Sequence, residues 1–307
     1  MNRLSIIIPV YYNAESLPDL YAELTRVEAE LIARDCELEL IFVDDGSGDD
    51  SFLRLAHIKE QRPETRVVRL TRNFGSVHAS KAGMALVTGD CFAVFPADLQ
   101  DPPSLVLEML EKWRSGSKFV LCARTKRGDP VASQLWSRIY YKLLRAMVVP
   151  DYPAGGYDVA LMDRALLPYL VNSSKNVNTP LFAYWLGFRP VIIPYERRPR
   201  VHGRSRWTFS KRVKFFIDSL LGFSVAPIRF ISLIGLVVSL LSVFYGFVIV
   251  VNAARGVAPV RGFPTVVALM AFLLGLVILM LGIIGEYLWR VFDELNKRPE
   301  SVIDEIL

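Results

Sequence analysis

Cysteine is scarce here, and what there is does not pair. Cys36, Cys91 and Cys122 are the three cysteines in 307 residues, and their scatter makes neither a disulfide framework nor a zinc-ligand spacing. Met1–Pro9 holds too short an apolar run for an export signal, so the N-terminal part is expected not to be exported. Internal repeats and low-complexity segments are lacking. Acidic residues are lacking between Arg197 and Lys214, where eight Lys/Arg fall within 18 positions. Charge of either sign is lacking from Phe230–Val251 and from Phe263–Ile284, 22 residues each.

Those two uncharged stretches explain a hydrophobic share, 52%, that is high for a purely soluble chain. A hydrocarbon core of roughly 30 Å needs about 20 apolar residues at the helical rise. Both stretches are long enough, and buried core helices seldom run 22 residues without a charge. The connection Asn252–Gly262 is short, so spans at about 230–251 and 263–284 are expected to form a hairpin with both flanks on one side. Basic residues before the first span, and Arg290, Lys297 and Arg298 after the second, place those flanks in the cytoplasm by the positive-inside rule.

The net charge of +5 resolves in the same way. Residues 197–214 carry +8, through Arg197, Arg198, Arg200, Arg204, Arg206, Lys211, Arg212 and Lys214. Residues 1–196 hold 22 basic and 24 acidic residues, so the folded domain is slightly acidic. A positive strip beside a membrane suits lipid phosphates, whereas a nucleic-acid partner is not expected. Lys211–Phe223 places Lys211, Arg212 and Lys214 among Phe215, Phe216, Leu220, Leu221 and Phe223. It reads as an interfacial amphipathic helix, with a plain lead-in to the first span as the alternative.

Before the strip, short apolar runs alternate with helical patterns. Leu4–Val10, Glu37–Val43, Arg66–Leu70 and Cys91–Phe95 read as strands, and Ser16–Arg34, Ser51–Gln61, Ser76–Val87 and Ser104–Arg114 as helices. This order predicts an α/β fold with a doubly wound, mostly parallel sheet, whose ligands bind beyond the carboxyl ends of the strands. Asp44-Asp45-Gly46-Ser47 puts two carboxylates at such an end, suited to the hydroxyls of a ribose or the N–H groups of a base. Capping of the following helix by Asp45 or Ser47 is the alternative. Asp98-Leu99-Gln100-Asp101-Pro102-Pro103 sets a carboxylate and an amide two residues apart, oxygen ligands suited to Mg²⁺ or Mn²⁺ bridging to phosphates. Capping of the next helix by Asp101 fits the same residues.

Ile8-Pro9-Val10-Tyr11, Val43-Asp44-Asp45-Gly46-Ser47, Arg72-Asn73-Phe74-Gly75 and Ala97-Asp98-Leu99-Gln100-Asp101-Pro102-Pro103 together resemble glycosyltransferase family 2 and its GT-A fold. More narrowly, the chain resembles the polyprenyl-phosphate glycosyltransferases, which include dolichyl-phosphate mannose synthases and bacterial undecaprenyl-phosphate sugar transferases. The likeness continues through Asp158–Arg164, Arg200–Trp207 and Gly285–Pro299, and so runs in order over nearly the whole chain. It implies a cytoplasmic GT-A catalytic domain over 1–208 and a juxtamembrane amphipathic helix over 209–228. It also implies a two-helix transmembrane hairpin over 229–290 and a cytoplasmic tail over 291–307.

The resemblance implies an enzyme of the cytoplasmic (inner) membrane that moves a sugar, with inversion, from a UDP- or GDP-sugar to the phosphate of a membrane polyprenyl phosphate. Pro9, Tyr11, Asp44 and Asp45 would line the base and ribose, with Arg124 near the donor and Arg200 reaching its diphosphate. Asp98 and Gln100 would hold Mg²⁺ or Mn²⁺. Asp158, with Asp98 and Arg200, would carry the chemistry near the reacting sugar. Arg200, Arg204 and Arg206 sit where the acceptor phosphate must lie, and the arginine fork suits phosphate. Relatives of this kind assemble as homo-oligomers, a tetramer among them.

Two positions depart from the pattern. Pro96 stands where the family writes an aspartate, which removes one metal ligand, and Asn13 stands where it often has a glutamate. Two further readings remain: a processive polysaccharide synthase, for which two spans are few, and a non-catalytic membrane scaffold.

Overall fold

Strands buried on both faces need apolar residues at nearly every position, and Leu4–Val10 and Leu38–Val43 have them. The computed structural model describes residues 1–125, 140–153, 155–175, 177–199, 216–255 and 263–307. They form two units, Met1–Ser219 with Pro299–Leu307, and Leu220–Arg298.

The first unit is built on one sheet. Its strands are β1 (Asn2–Val10), β2 (Cys36–Asp44), β3 (Arg66–Leu70), β4 (Cys91–Val94), β5 (Phe119–Arg124), β6 (Val159–Asp163), β7 (Val191–Tyr195) and β8 (Ile303–Ile306). They lie in the order β7-β5-β6-β4-β1-β2-β3-β8. Helices α1 (Leu17–Ile32), α2 (Ser51–Gln61), α3 (Ser76–Met84) and α4 (Leu105–Arg114) follow the first four strands, as expected from the sequence, and α5 (Leu167–Val171) and α6 (Thr179–Trp185) precede β7. Helix α1 presents Leu17, Leu20, Leu24, Val27 and Leu31, the apolar stripe of a 3.6-residue period, to the core.

The sheet is mostly parallel, with two exceptions that matter. Strand β6 runs antiparallel to both its neighbours, β4 and β5. Its first residues therefore lie on the same edge as the carboxyl ends of β1 to β5 and of β7, which pairs in parallel with β5. Strand β8 adds antiparallel to β3, and Leu307 exchanges backbone hydrogen bonds with Val67. The C-terminal residues thus cover what would otherwise be an open sheet edge.

The second unit contains α7 (Ala226–Ala254) and α8 (Phe263–Leu295). Both are longer than the uncharged stretches. Helix α8 runs past Ile284 through Glu286 and Arg290, an i,i+4 ion pair at 3.4 Å that continues the helical path. The tail expected over 291–307 accordingly divides: its first residues prolong α8 and its last form β8. Tyr287 donates from its hydroxyl to the Ser224 carbonyl at 2.9 Å. Both helices are long and apolar enough to cross a membrane, and the apolar windows Ala226–Val248 and Phe272–Leu295 have no buried share. Within the expected interfacial helix, residues 216–221 are helical, and 211–215 lie outside the described residues.

Candidate functional site

The ligand edge of the sheet has two halves. The first is built at the ends of β1, β2 and β3. Pro9 pairs in register with Val43, and Val10 with Asp44. The chain beyond them is laced to the Asp44–Ser51 loop: the Val10 carbonyl accepts from Asp45 N at 2.8 Å, Tyr12 N donates to Ser47 Oγ at 3.0 Å, and Asn13 N to Ser51 Oγ at 2.8 Å. Asn13 Oδ1 accepts from Tyr11 N at 3.0 Å, so this departure from the family pattern holds the loop in shape. The rings of Tyr11 and Tyr12 meet edge to face with centroids 4.7 Å apart.

The two aspartates of the β2 exit have different surroundings. Asp45 accepts from Phe74 N at 2.7 Å and from Gly75 N at 2.9 Å, one bond to each carboxylate oxygen, at the start of α3. Helix α2, which comes directly after, takes no side-chain cap from its N-cap residue Asp50. Asp45 therefore ties the Arg72–Gly75 loop to β2. Gly46 makes this close approach feasible, since its φ is +66° and a Cβ there would lie 2.5 Å from the Arg72 carbonyl carbon.

Asp44 is fully buried. Its Oδ1 accepts from Ser47 N at 3.2 Å, while Oδ2 has no hydrogen-bond partner among the described residues and lies 4.0 Å from Arg69 Nε. Burial pushes both aspartates up from the ordinary carboxylate range. A buried carboxylate oxygen without a hydrogen-bond donor is costly, and this one lies at the end of the sheet where ligands of such folds bind.

The second half is built at the ends of β4, β5 and β7 and the start of β6. Asp98-Leu99-Gln100 is a tight turn in which Leu99, buried, holds φ at +59° and Gln100 N donates to Asp98 Oδ1 at 3.2 Å. Strain of this kind concentrates at functional turns. Among the described residues no three His, Cys, Asp or Glu side chains gather as a metal-binding group. Asp98 and Gln100 offer two hard oxygen donors, a set that fits Mg²⁺ or Mn²⁺ completed by phosphate and water oxygens.

Asp101 does not cap α4, whose N-cap residue is Ser104. It is buried and accepts from Arg197 Nε at 3.0 Å and Nη2 at 3.2 Å, and from the Tyr195 hydroxyl. Arg124 and Asp158 form a two-pronged pair: Nη2 to Oδ1 at 2.8 Å and Nε to Oδ2 at 3.1 Å. The Tyr195 hydroxyl also lies 3.0 Å from Asp158 Oδ2. Arg198 N donates to the Gln100 carbonyl at 2.9 Å, and its guanidinium meets Glu23 Oε1 at 2.6 Å.

The structure thus gathers Pro9, Tyr11, Asp44 and Asp45 in one half and Asp98, Gln100, Arg124 and Asp158 in the other. Arg200, Arg204 and Arg206 lie outside the described residues, as does Trp207. Two of the eight basic residues of the strip, Arg197 and Arg198, are paired with Asp101 and Glu23. Sequence reading missed Tyr195, and gave Asp101 the wrong partner. Nothing local marks either, because their contacts span 94 residues for Tyr195–Asp101 and 37 for Tyr195–Asp158.

The glycosyl transferase family 2 model matches residues 5–169. An uncharacterized glycosyltransferase of Synechocystis sp. is 32% identical over 307 residues, covering 99% of this chain and 95% of that protein. The bactoprenol glucosyl transferase of Shigella phage SfX is 29% identical over 303 residues, covering 98% of each. Among solved structures, glucosyl-3-phosphoglycerate synthase from Mycobacterium tuberculosis superposes with a TM-score of 0.51 at 18% identity, over 71% of this chain and 80% of that one. That likeness is one of fold.

Proposed function

Because the chain belongs to glycosyl transferase family 2, and is a glycosyltransferase, we propose that it transfers a sugar from a UDP- or GDP-sugar to the phosphate of a membrane polyprenyl phosphate, with inversion at the anomeric carbon. The observation that carries the acceptor is the end-to-end match to a bactoprenol glucosyl transferase, which takes in the two apolar helices as well as the sheet domain. The site chemistry agrees with the donor. Asp44 offers a buried oxygen, unpartnered among the described residues, for a ribose hydroxyl or a base N–H. It stands between Pro9 and Tyr11 on one side and the loop held by Asp45 on the other.

Asp98 and Gln100 would hold Mg²⁺ or Mn²⁺, which when bound supplies positive charge against the donor diphosphate. Arg200 would add positive charge there, and Arg124, its own charge offset by Asp158, would add oriented N–H donors. A phosphate monoester has a second pKa near about 6, so the acceptor is mostly dianionic at neutral pH and already nucleophilic. Its oxygen attacks the anomeric carbon as the bond to the diphosphate breaks, and the nucleoside diphosphate leaves with that electron pair. Both Asp158 oxygens are engaged by Arg124 and Tyr195, which suits an orienting anion rather than a base. Arg204 and Arg206, with Arg200, would meet the acceptor phosphate.

The membrane arrangement belongs to the same proposal. The chain leaves the sheet unit after Ser219 and re-enters it at Pro299, so the segments on both sides of the helix pair belong to one folded unit. That connectivity supports a two-span hairpin with the catalytic domain, flanked by basic residues, on the cytoplasmic side. Assembly as a homo-oligomer, a tetramer among its forms, is part of the same reading.

The test incubates purified full-length protein with undecaprenyl phosphate and a panel of UDP- and GDP-sugars, with and without Mn²⁺. A monoglycosylated lipid phosphate by mass spectrometry, with inverted anomeric configuration by NMR, is the expected product. Polymer would point to a processive synthase. Donor binding without transfer would point to a scaffold.

A further inference from the structure

Tyr195 ends β7 beside Arg124, its register partner at the end of β5. Its hydroxyl reaches both the Asp101 carboxylate, which follows β4, and the Asp158 carboxylate, which precedes the neighbouring strand β6. Each carboxylate also pairs with an arginine, Asp101 with Arg197 and Asp158 with Arg124. Two anions and two cations balance in charge, and the phenol is the neutral link between the pairs. Burial, and after it the bond to Asp101, pushes the Tyr195 phenol far above its ordinary value, so it remains a hydroxyl.

A phenol carries one proton and donates to one carboxylate at a time. The link is therefore a shared donor, and it persists because the arginines compensate whichever carboxylate lacks the proton. Asp101 directly follows Gln100, and the Gln100 carbonyl accepts from Arg198 N. Tyr195, Arg197 and Arg198 together fasten the exit of β7 to the Asp98–Asp101 turn, while Asp158 fixes Arg124. The hydroxyl joins these two subassemblies.

We propose that Tyr195 is a positioning residue of the transfer reaction, its hydroxyl locking the Arg124–Asp158 pair in register with the Asp98–Gln100 turn. The inference rests on the sugar-transfer reading above. It assigns to Tyr195 no contact with donor or acceptor. Loss of the hydroxyl lets Arg124 move relative to the turn that holds the diphosphate, and small misplacements of charge-compensating groups cost rate more than binding.

The experiment compares wild type, Tyr195→Phe, Asp101→Asn and the double variant in the undecaprenyl phosphate assay. Donor affinity and binding stoichiometry are read by calorimetry, and single-turnover rate is taken per bound donor. Tyr195→Phe is expected to bind donor with unchanged stoichiometry and to transfer about tenfold more slowly, the size of one charge-assisted hydrogen bond. The double variant is expected to lose less than the two single losses combined, since both changes weaken the Tyr195–Asp101 contact while Asp101→Asn also loosens Arg197. A Tyr195→Phe rate equal to wild type, or additive losses in the double variant, overturns the proposal. So does loss of donor stoichiometry in Tyr195→Phe, which assigns the hydroxyl to stability. Failure of the wild type to form product defeats the sugar-transfer reading instead.

Discussion

Lys81 Nζ and Glu300 Oε1 lie 2.7 Å apart, joining helix α3 to a residue 219 positions later, beyond both apolar helices. Lys81 is buried and also donates to the Ser173 carbonyl at 2.7 Å. His78 Nδ1 stands 3.5 Å from Glu300 Oε2, too long for a strong bond, so Lys81 is the main anchor. This contact and β8 tie the C-terminal residues to the sheet. Since α3 begins at the loop that Asp45 holds, the tail braces one wall of the proposed donor site.

Replacing Glu300 by Ala is expected to leave the Lys81 ammonium under-paired and to cost about 1–3 kcal/mol. Thermal unfolding of the full chain in detergent measures the loss, and limited proteolysis shows the freed C-terminus. An unchanged midpoint would mean that the tail contributes nothing to stability through this contact.

The same contact carries a pH dependence. Burial acts to raise the Glu300 carboxyl, but His78 and Lys81 outweigh it and leave the group below its ordinary value. A carboxyl depressed on folding stabilises the protein above its unfolded pKa of about 4.3. That contribution fades as pH falls through the lower, folded value. Wild-type stability should therefore drop on acidification below about pH 4.3 more steeply than that of Glu300→Gln, as followed by melting temperature against pH.

Asp44 and Asp45 should separate cleanly. If Asp44 binds the nucleotide as proposed, Asp44→Asn is expected to weaken nucleotide binding about tenfold or more while leaving the fold stable, because its Oδ2 has no hydrogen-bond partner among the described residues. Asp45→Ala strips both acceptors from Phe74 N and Gly75 N. It should destabilise by about 1–3 kcal/mol and weaken binding through loss of the loop. Calorimetry beside thermal melts distinguishes the two patterns, and equal melts would contradict the buttressing role of Asp45.

Asp98→Asn is expected to lower transfer on the order of 10²-fold and to raise the Mn²⁺ concentration needed for half-maximal rate. Full activity at every metal concentration would rule out Asp98 as a ligand.

Arg124→Lys keeps the charge but not the fork that meets Asp158 at two points, and about tenfold slower transfer is expected. Asp158→Asn should lose a similar factor with the shape of its pH–rate profile preserved, because Asp158 orients Arg124. Disappearance of the profile's acidic limb in Asp158→Asn would instead identify a general base.

Much of this protein could be read along the chain, because much of it is local. The four strands β1 to β4 are continuous apolar runs, and the helices between them carry their own periodicity. The Asp44–Ser47 and Asp98–Pro103 motifs fall at strand exits, where a parallel sheet collects its ligands. The two apolar helices come from length and lack of charge alone. The short strands β5 to β8 have weaker signals, and β8 gains its order from pairing with β3, since four residues cannot form a strand unaided.

Tertiary structure decided what depends on contacts remote in sequence. Asp44 and Asp45 are adjacent and alike in type, yet one has an open oxygen and the other two backbone partners, because only Asp45 meets the loop after β3. The antiparallel course of β6 brings Asp158 to the ligand edge, where Arg124 and Tyr195 await it. Arg197 and Arg198 look like members of a lipid-binding strip, and pairing with Asp101 and Glu23 removes them from it. Composition and periodicity state what a residue can do; which buried charge meets which donor is settled only when the sheet aligns strand ends that lie many residues apart.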